Sequence, residues 1–268
     1  MQHATCGFAT TGDGIRIRYR FDGPRHLPTL ALSNSIGTDL HMWDAQIPPL
    51  TRHFRVLRHD ARGHGLSDAP SAPYSLDRLG HDVVELLDAL ELQRVHFLGL
   101  SLGGFVAQWL GVHVPARIDR LVLSNTAAWL GPPRQWNDAI AAVMARPDMS
   151  QTAEMFVRNW FPAAALEEDD KDVQTFRRTL LATSREGIAG SWAGIRDADL
   201  RRTIALIPRP TLVIAGEHDS VTTVAHGEEM ASTIPGARLR VLPTVHLPNV
   251  EQPDDFANEV LAFLLERP

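Results

Sequence analysis

Ser101 stands in Gly99-Leu100-Ser101-Leu102-Gly103-Gly104, where a short apolar run, Val95 to Leu98, breaks into glycines and then resumes with Phe105, Val106, Trp109 and Leu110 spaced as one face of a helix. The pattern predicts strand, tight turn, helix. On such a turn the serine is held in a strained backbone position, and the flanking glycines let strand and helix approach without a Cβ clash. The hydroxyl is thereby pushed out of the sheet towards a substrate. Alone it is a weak nucleophile near neutral pH. It needs a general base beside it, and the base needs a carboxylate to hold its tautomer.

Gly-x-Ser-x-Gly between a strand and a helix resembles the nucleophile elbow of the α/β-hydrolases. In that fold the partners follow in the chain order serine, acid, histidine, each in a loop after a strand. Downstream of Ser101 the strand Leu121-Val122-Leu123 runs into Ser124-Asn125, which offers no carboxylate. The strand Thr211 to Ile214 runs into Gly216-Glu217-His218-Asp219, and Asp219 is preferred to Glu217 because it lies two residues further into the loop. His246 follows the last strand, just ahead of a helix start. An aspartate there also suits a helix N-cap, and any one of twelve histidines has other uses. The weight lies in three residue types at three strand ends in the required order. The fold also implies main-chain donors for an oxyanion, which nominates the N–H groups of Ile36 and Leu102. Asn34-Ser35 stands where many such proteins carry His-Gly, a departure expected to alter loop packing more than the donors. Asp60-x-Arg62-Gly63-His64-Gly65-x-Ser67 reads as a structural turn, with Asp60 and Arg62 tying it to strand ends. No pair of histidines stands at i, i+4 with a carboxylate near, so a metal site is not expected.

Elements that could position these groups alternate along the chain. Ile15, Ile17, Tyr19 and Phe21 alternate with arginines after Gly12-Asp13-Gly14, the signature of a hairpin strand with one wet face. Thr29 to Leu32, Phe54 to Leu57 and Leu121 to Leu123 are short buried strands, and Leu76, Leu79, Val83, Leu86, Leu87 and Leu90 mark an amphipathic helix with Ser75 as its N-cap. Strands alternating with helices in this way predict a mostly parallel central sheet flanked by helices. From residue 127 to 201 the rhythm changes to short helical stretches carrying four of the six tryptophans: Trp129, Trp136, Trp160 and Trp192. This segment reads as a helical lid inserted in a core made of residues 1–126 and 202–268, since aromatics of that size need a core or an apolar cleft to cover. Sheet rhythm returns with Thr211 to Ile214, a helix near Val224, a strand at Arg238 to Leu242 and a closing helix with Phe256, Val260, Phe263 and Leu264 on one face.

Composition narrows the class. With 268 residues, 44% hydrophobic and 22% charged, the chain can bury a sizeable core. A net charge of −6 with no basic run argues against nucleic acid or an anionic membrane as partner. Any attraction for an anionic substrate must then be local to a pocket. One cysteine, Cys6, excludes a disulfide framework. The opening residues lack a charged, then apolar leader pattern, and no apolar run approaches the ~20 residues of a membrane span. The expectation is a soluble, cytoplasmic protein; its oligomeric state is left open.

Several segments narrow the resemblance to the 3-oxoadipate enol-lactonases. They are Ser33-Asn34-Ser35-Ile36-Gly37-Thr38, the elbow, Ser124-Asn125-Thr126-Ala127-Ala128, Arg158-Asn159-Trp160-Phe161, Ile195-Arg196-Asp197 and His246-Leu247-Pro248-Asn249. Two departures stand out: Trp192 where a small residue is expected, and Glu217-His218 before the acid, both able to reshape the pocket. The resemblance implies hydrolysis of a five-membered enol-lactone without cofactor, with Ser101 as nucleophile, His246 as base and Asp219 as orienting acid. Such a substrate carries a free carboxylate, so it implies a cation or an N–H cluster in the lid. Arg196 and Arg134 are the candidates, with Trp136 and Trp160 covering the ring. A carboxylesterase, a carbon–carbon bond hydrolase, a perhydrolase or a binding protein that retains the triad are the alternatives.

Overall fold

The alternation of apolar residues with arginines near the start of the chain builds the sheet edge it predicts. The computed structural model describes residues 5–168 and 170–266; residues 1–4, part of the opening on which the leader expectation rests, lie outside them. Strands β1 (Thr5–Thr10) and β2 (Arg16–Asp22) form an antiparallel hairpin. Strands β3 (Thr29–Ser33) and β4 (Arg55–His59) pair in parallel, and β2 runs antiparallel to β4. Towards the other edge, β5 (Val95–Leu100), β6 (Ile118–Ser124), β7 (Thr211–Gly216) and β8 (Arg238–Leu242) continue in parallel, completing the order β1-β2-β4-β3-β5-β6-β7-β8. Every residue of β5 except His96 is buried, as a parallel strand covered by helices on both faces requires.

Short α1 (Ile47–Leu50) precedes β4, and α2 (Leu76–Ala89) and α3 (Leu102–His113) flank β5 in sequence. Ser75 caps α2, its side chain accepting from the Arg78 N–H. Asp60 accepts the N–H groups of Leu40 and Leu66 at 2.7 and 2.9 Å and so closes the turn after β4. Arg62 ties the turn to Asp13, just ahead of β2, at 3.0 Å, and its guanidinium also reaches Asp82 on α2 at 2.5 Å, where the helix presents a buried carboxylate that needs a counter-charge.

Among the described residues, five α-helices lie between β6 and β7: α4 (Pro133–Ala145), α5 (Ser150–Trp160), α6 (Ala163–Glu167), α7 (Lys171–Ala182) and α8 (Arg185–Asp197). None contributes to the sheet; α4 packs on α8 and α5 on α7. An isolated antiparallel bridge between Trp129 and Asp199 draws the two ends of this insert together. Beyond β7 come α9 (Val224–Thr233), α10 (Pro248–Glu251) and α11 (Pro253–Leu264), the last burying Phe256, Val260, Phe263 and Leu264 as its spacing predicts. No helix among the described residues is long and apolar enough to cross a membrane.

Candidate active site

Ser101 lies between the end of β5 and the start of α3 with φ 56° and ψ −114°, a backbone conformation that costs a non-glycine residue about 1–3 kcal/mol. Neighbouring chain holds it there. The Ser101 N–H donates to the Ser124 carbonyl at 3.0 Å, and the Thr126 hydroxyl donates to the Ser101 carbonyl at 2.8 Å. A Cβ on Gly99 would stand 2.0 Å from the Gly103 carbonyl oxygen, and one on Gly103 would stand 2.2 Å from that of Ser33. The turn closes only because both are glycine.

Asp219 and His246 come from the loops after β7 and β8 and meet with Nδ1 of the imidazole 2.7 Å from Oδ2 of the carboxylate, both side chains buried. Oδ1 of Asp219 accepts the N–H groups of Val221 and Thr222 at 2.8 and 3.0 Å. Oδ2 also accepts the Thr222 hydroxyl at 2.7 Å and Asn125 Nδ2 at 3.0 Å. Burial by itself would raise this carboxyl, but His246 and the donors around it outweigh burial and hold it below the usual carboxylate range. An ionised Asp219 accepts Nδ1–H of a neutral imidazole, which leaves Nε2 as the basic nitrogen.

Leu102 opens α3, where first-turn N–H groups have no partner within the helix. Among the described residues neither the Ile36 nor the Leu102 N–H is given to a protein acceptor, whereas the Gly103 N–H donates to the Asn34 carbonyl at 3.0 Å. Asn34 packs the loop as expected: its side chain donates to the His59 carbonyl at 2.9 Å and accepts from Trp43 Nε1 at 2.8 Å.

Ser101, His246, Ile36 and Val221 form the floor of a cavity of about 230 Å³. Its roof comes from the insert: Leu130, Gln135, Trp136, Ala139, Met155, Phe156, Asn159, Trp160, Trp192 and Ile195. Trp136 and Trp160 are both among these lining residues. Trp192 is there as well, its ring centroid 6.3 Å from Trp136 and 5.8 Å from Phe156, narrowing the space that a small residue would leave.

The arginines are a correction. Neither Arg196 nor Arg134 lines the cavity. Arg196 follows the lining Ile195 on α8, so the helix turns it away. Its guanidinium is then held by adjacent Asp197 at 2.7 Å and by Asn137 at 3.0 Å. Arg134 is exposed in the first turn of α4. Glu217 and His218 likewise point to solvent, their N–H groups donating to the carbonyls of Leu242 and Thr244, so that departure leaves the cavity unaltered.

Asn125 is the residue that sequence reasoning passed over. It occupies the left-handed region at φ 43°, which asparagine tolerates better than most residues. Its Nδ2 bonds Asp219 and also the Val245 carbonyl at 3.0 Å, joining the loop of the acid to the loop of the base. The signal is in the sequence: Asn125 follows directly on a strand whose end offers no carboxylate.

Residues 28–253 match the family described as alpha/beta hydrolase fold. Among curated proteins, 3-oxoadipate enol-lactonase 2 of Acinetobacter baylyi is 37% identical over 95% of both chains. Among solved structures, an enol-lactonase from Burkholderia xenovorans superposes with TM-score 0.94 at 40% identity, over 97% of this chain and 100% of that one. A hydrolase from Pseudomonas aeruginosa superposes with TM-score 0.97 at 61% identity, over 98% and 99%.

Proposed function

The chain belongs to the α/β-hydrolase family, and from that premise we propose that it is a serine hydrolase that opens 3-oxoadipate enol-lactone with water to give 3-oxoadipate. The observation that carries the reading is the 2.7 Å contact between His246 and Asp219 at a cavity that Ser101 and His246 both line. The similarity to enol-lactonases over nearly the whole chain supports the substrate.

In this reading His246 Nε2 takes the Ser101 proton as Oγ attacks the lactone carbonyl, and Asp219 stabilises the imidazolium that forms. The N–H groups of Ile36 and Leu102 hold the oxyanion; one such donor is worth about 2.7–4 kcal/mol of transition-state stabilisation. Collapse of the tetrahedral intermediate breaks the ring C–O bond. The leaving enol oxygen takes the proton from His246 and tautomerises to the ketone while still tethered to the acyl group. Water, deprotonated by His246, then attacks the acyl-serine, and Ser101 leaves with its proton restored. The reading carries with it the β-ketoadipate route of aromatic-compound degradation and a cytoplasmic place of action.

One observation favours a second reading, a carboxylesterase for neutral esters: apart from His246, no ionisable side chain lines the cavity among the described residues. Steady-state kinetics on the enol-lactone beside p-nitrophenyl acetate decide between them. Turnover of the lactone at a kcat/KM at least about tenfold above the ester is expected, and ester hydrolysis without lactone turnover would overturn the proposal.

A further inference from the structure

Five side chains of the insert bring N–H donors to the roof of the cavity: Gln135, Trp136, Asn159, Trp160 and Trp192. They fall into two groups. Gln135 Nε2 and Trp136 Nε1 both donate to the Leu130 carbonyl, at 3.2 and 2.5 Å. Among the described residues, the Asn159 amide and the indole N–H groups of Trp160 and Trp192 have no protein acceptor. Trp160 and Trp192 are only 2% and 4% exposed. A buried indole N–H normally finds a partner, because leaving one unpaired costs about 1–3 kcal/mol. Neither indole nitrogen is among the fully enclosed polar atoms that lack a partner, and both tryptophans line the cavity, as does half-buried Asn159, which also borders a surface hollow beside Glu154 and Arg158.

We propose that Asn159, Trp160 and Trp192 form a cation-free recognition site for a carboxylate carried on the arm of the lactone ring. The proposal rests on the enol-lactone reading and identifies what selects that substrate. An indole offers only a donor, and a carboxylate offers only acceptors. Neutral N–H groups stabilise a carboxylate as backbone amides do, and hydrogen bonds to an ionised group are the stronger kind, more so in an apolar enclosure. No guanidinium is needed: Arg196 is already held by Asp197 and Asn137.

Three lactones with one ring and different arms test this: carboxymethyl, its methyl ester, and plain methyl. The wild type is expected to prefer the carboxymethyl lactone over the methyl one in kcat/KM. Trp160→Phe, Trp192→Phe and Asn159→Leu are each expected to lower that preference about tenfold, mainly through KM for the charged substrate. Arg196→Met is expected to keep it. Labelling of Ser101 by a fluorophosphonate checks that each variant remains folded. Equal losses on charged and uncharged lactones, or a preference abolished only in Arg196→Met, would overturn the donor site while leaving enol-lactone hydrolysis standing. A wild type that opens the methyl lactone but not the carboxymethyl one would instead overturn the enol-lactone reading, and the donor site with it.

Discussion

Floor and roof of the cavity are built on opposite principles. On the floor, polar groups are held by dense hydrogen bonding from strand ends: Asp219 accepts from His246, Thr222, Asn125 and two backbone N–H groups. The roof is aromatic, with Trp160 and Trp192 both in ring contact with Phe156 and three donors left without a protein partner among the described residues. The contrast follows from the two tasks. Bond-breaking needs groups fixed to a fraction of an ångström before the substrate arrives. Selection needs groups whose hydrogen bonds the substrate completes.

The contrast can be broken most forcefully on the floor. Ser101→Ala or His246→Ala is expected to lower kcat by at least about three orders of magnitude with the fold kept, as circular dichroism would check. Near wild-type turnover in either variant would remove the floor from the chemistry. Asn125→Leu takes away one donor to Asp219 and the tie between its loop and that of His246. It is expected to lower kcat about tenfold, to leave KM within about twofold and to shift the acid limb of the kcat profile, whereas an unmoved limb would reduce Asn125 to packing. A stability test follows from His59, which burial pushes down to about 4 at the end of β4. The unfolded chain binds its proton near 6.5 and the folded chain only near 4. Unfolding free energy should therefore fall as pH drops from about 6.5 to 4, by up to about 3 kcal/mol from this group. The burial-depressed imidazoles of His64 and His96 steepen the same limb. Urea melts across that window should show the fall, and His59→Leu should flatten it; parallel curves would rule the group out. The smallest effect belongs to neither floor nor roof. Glu217→Ala with His218→Ala is expected to change kcat/KM on the lactone by less than about twofold, and a larger change would bring that exposed pair back into the site.

The sheet and the floor were legible in the sequence because their signals are local. Alternation set the β1–β2 edge, apolar runs set the parallel strands, and Ser101, Asp219 and His246 each lie just past a strand end. The roof was legible only by residue type. Tryptophans of that density mark a cleft, but which charges face it depends on how the helices turn and who is next in the chain. Arg196 was claimed by Asp197, one residue away, and no spacing rule separates such a neighbour from a ligand. Asn125 is illegible for a different reason: spacing points to residues able to carry the acid's charge, while the structure uses that place to orient the acid.

The Trp129–Asp199 bridge has a consequence for how such a chain changes over time. The strands on either side, β6 and β7, are immediate neighbours in the sheet, so everything between them leaves and returns through one narrow neck. Ser101, Asp219 and His246 all lie outside that neck, so mutations that remodel the aromatic ceiling need not touch the stretches of chain that carry the reactive groups.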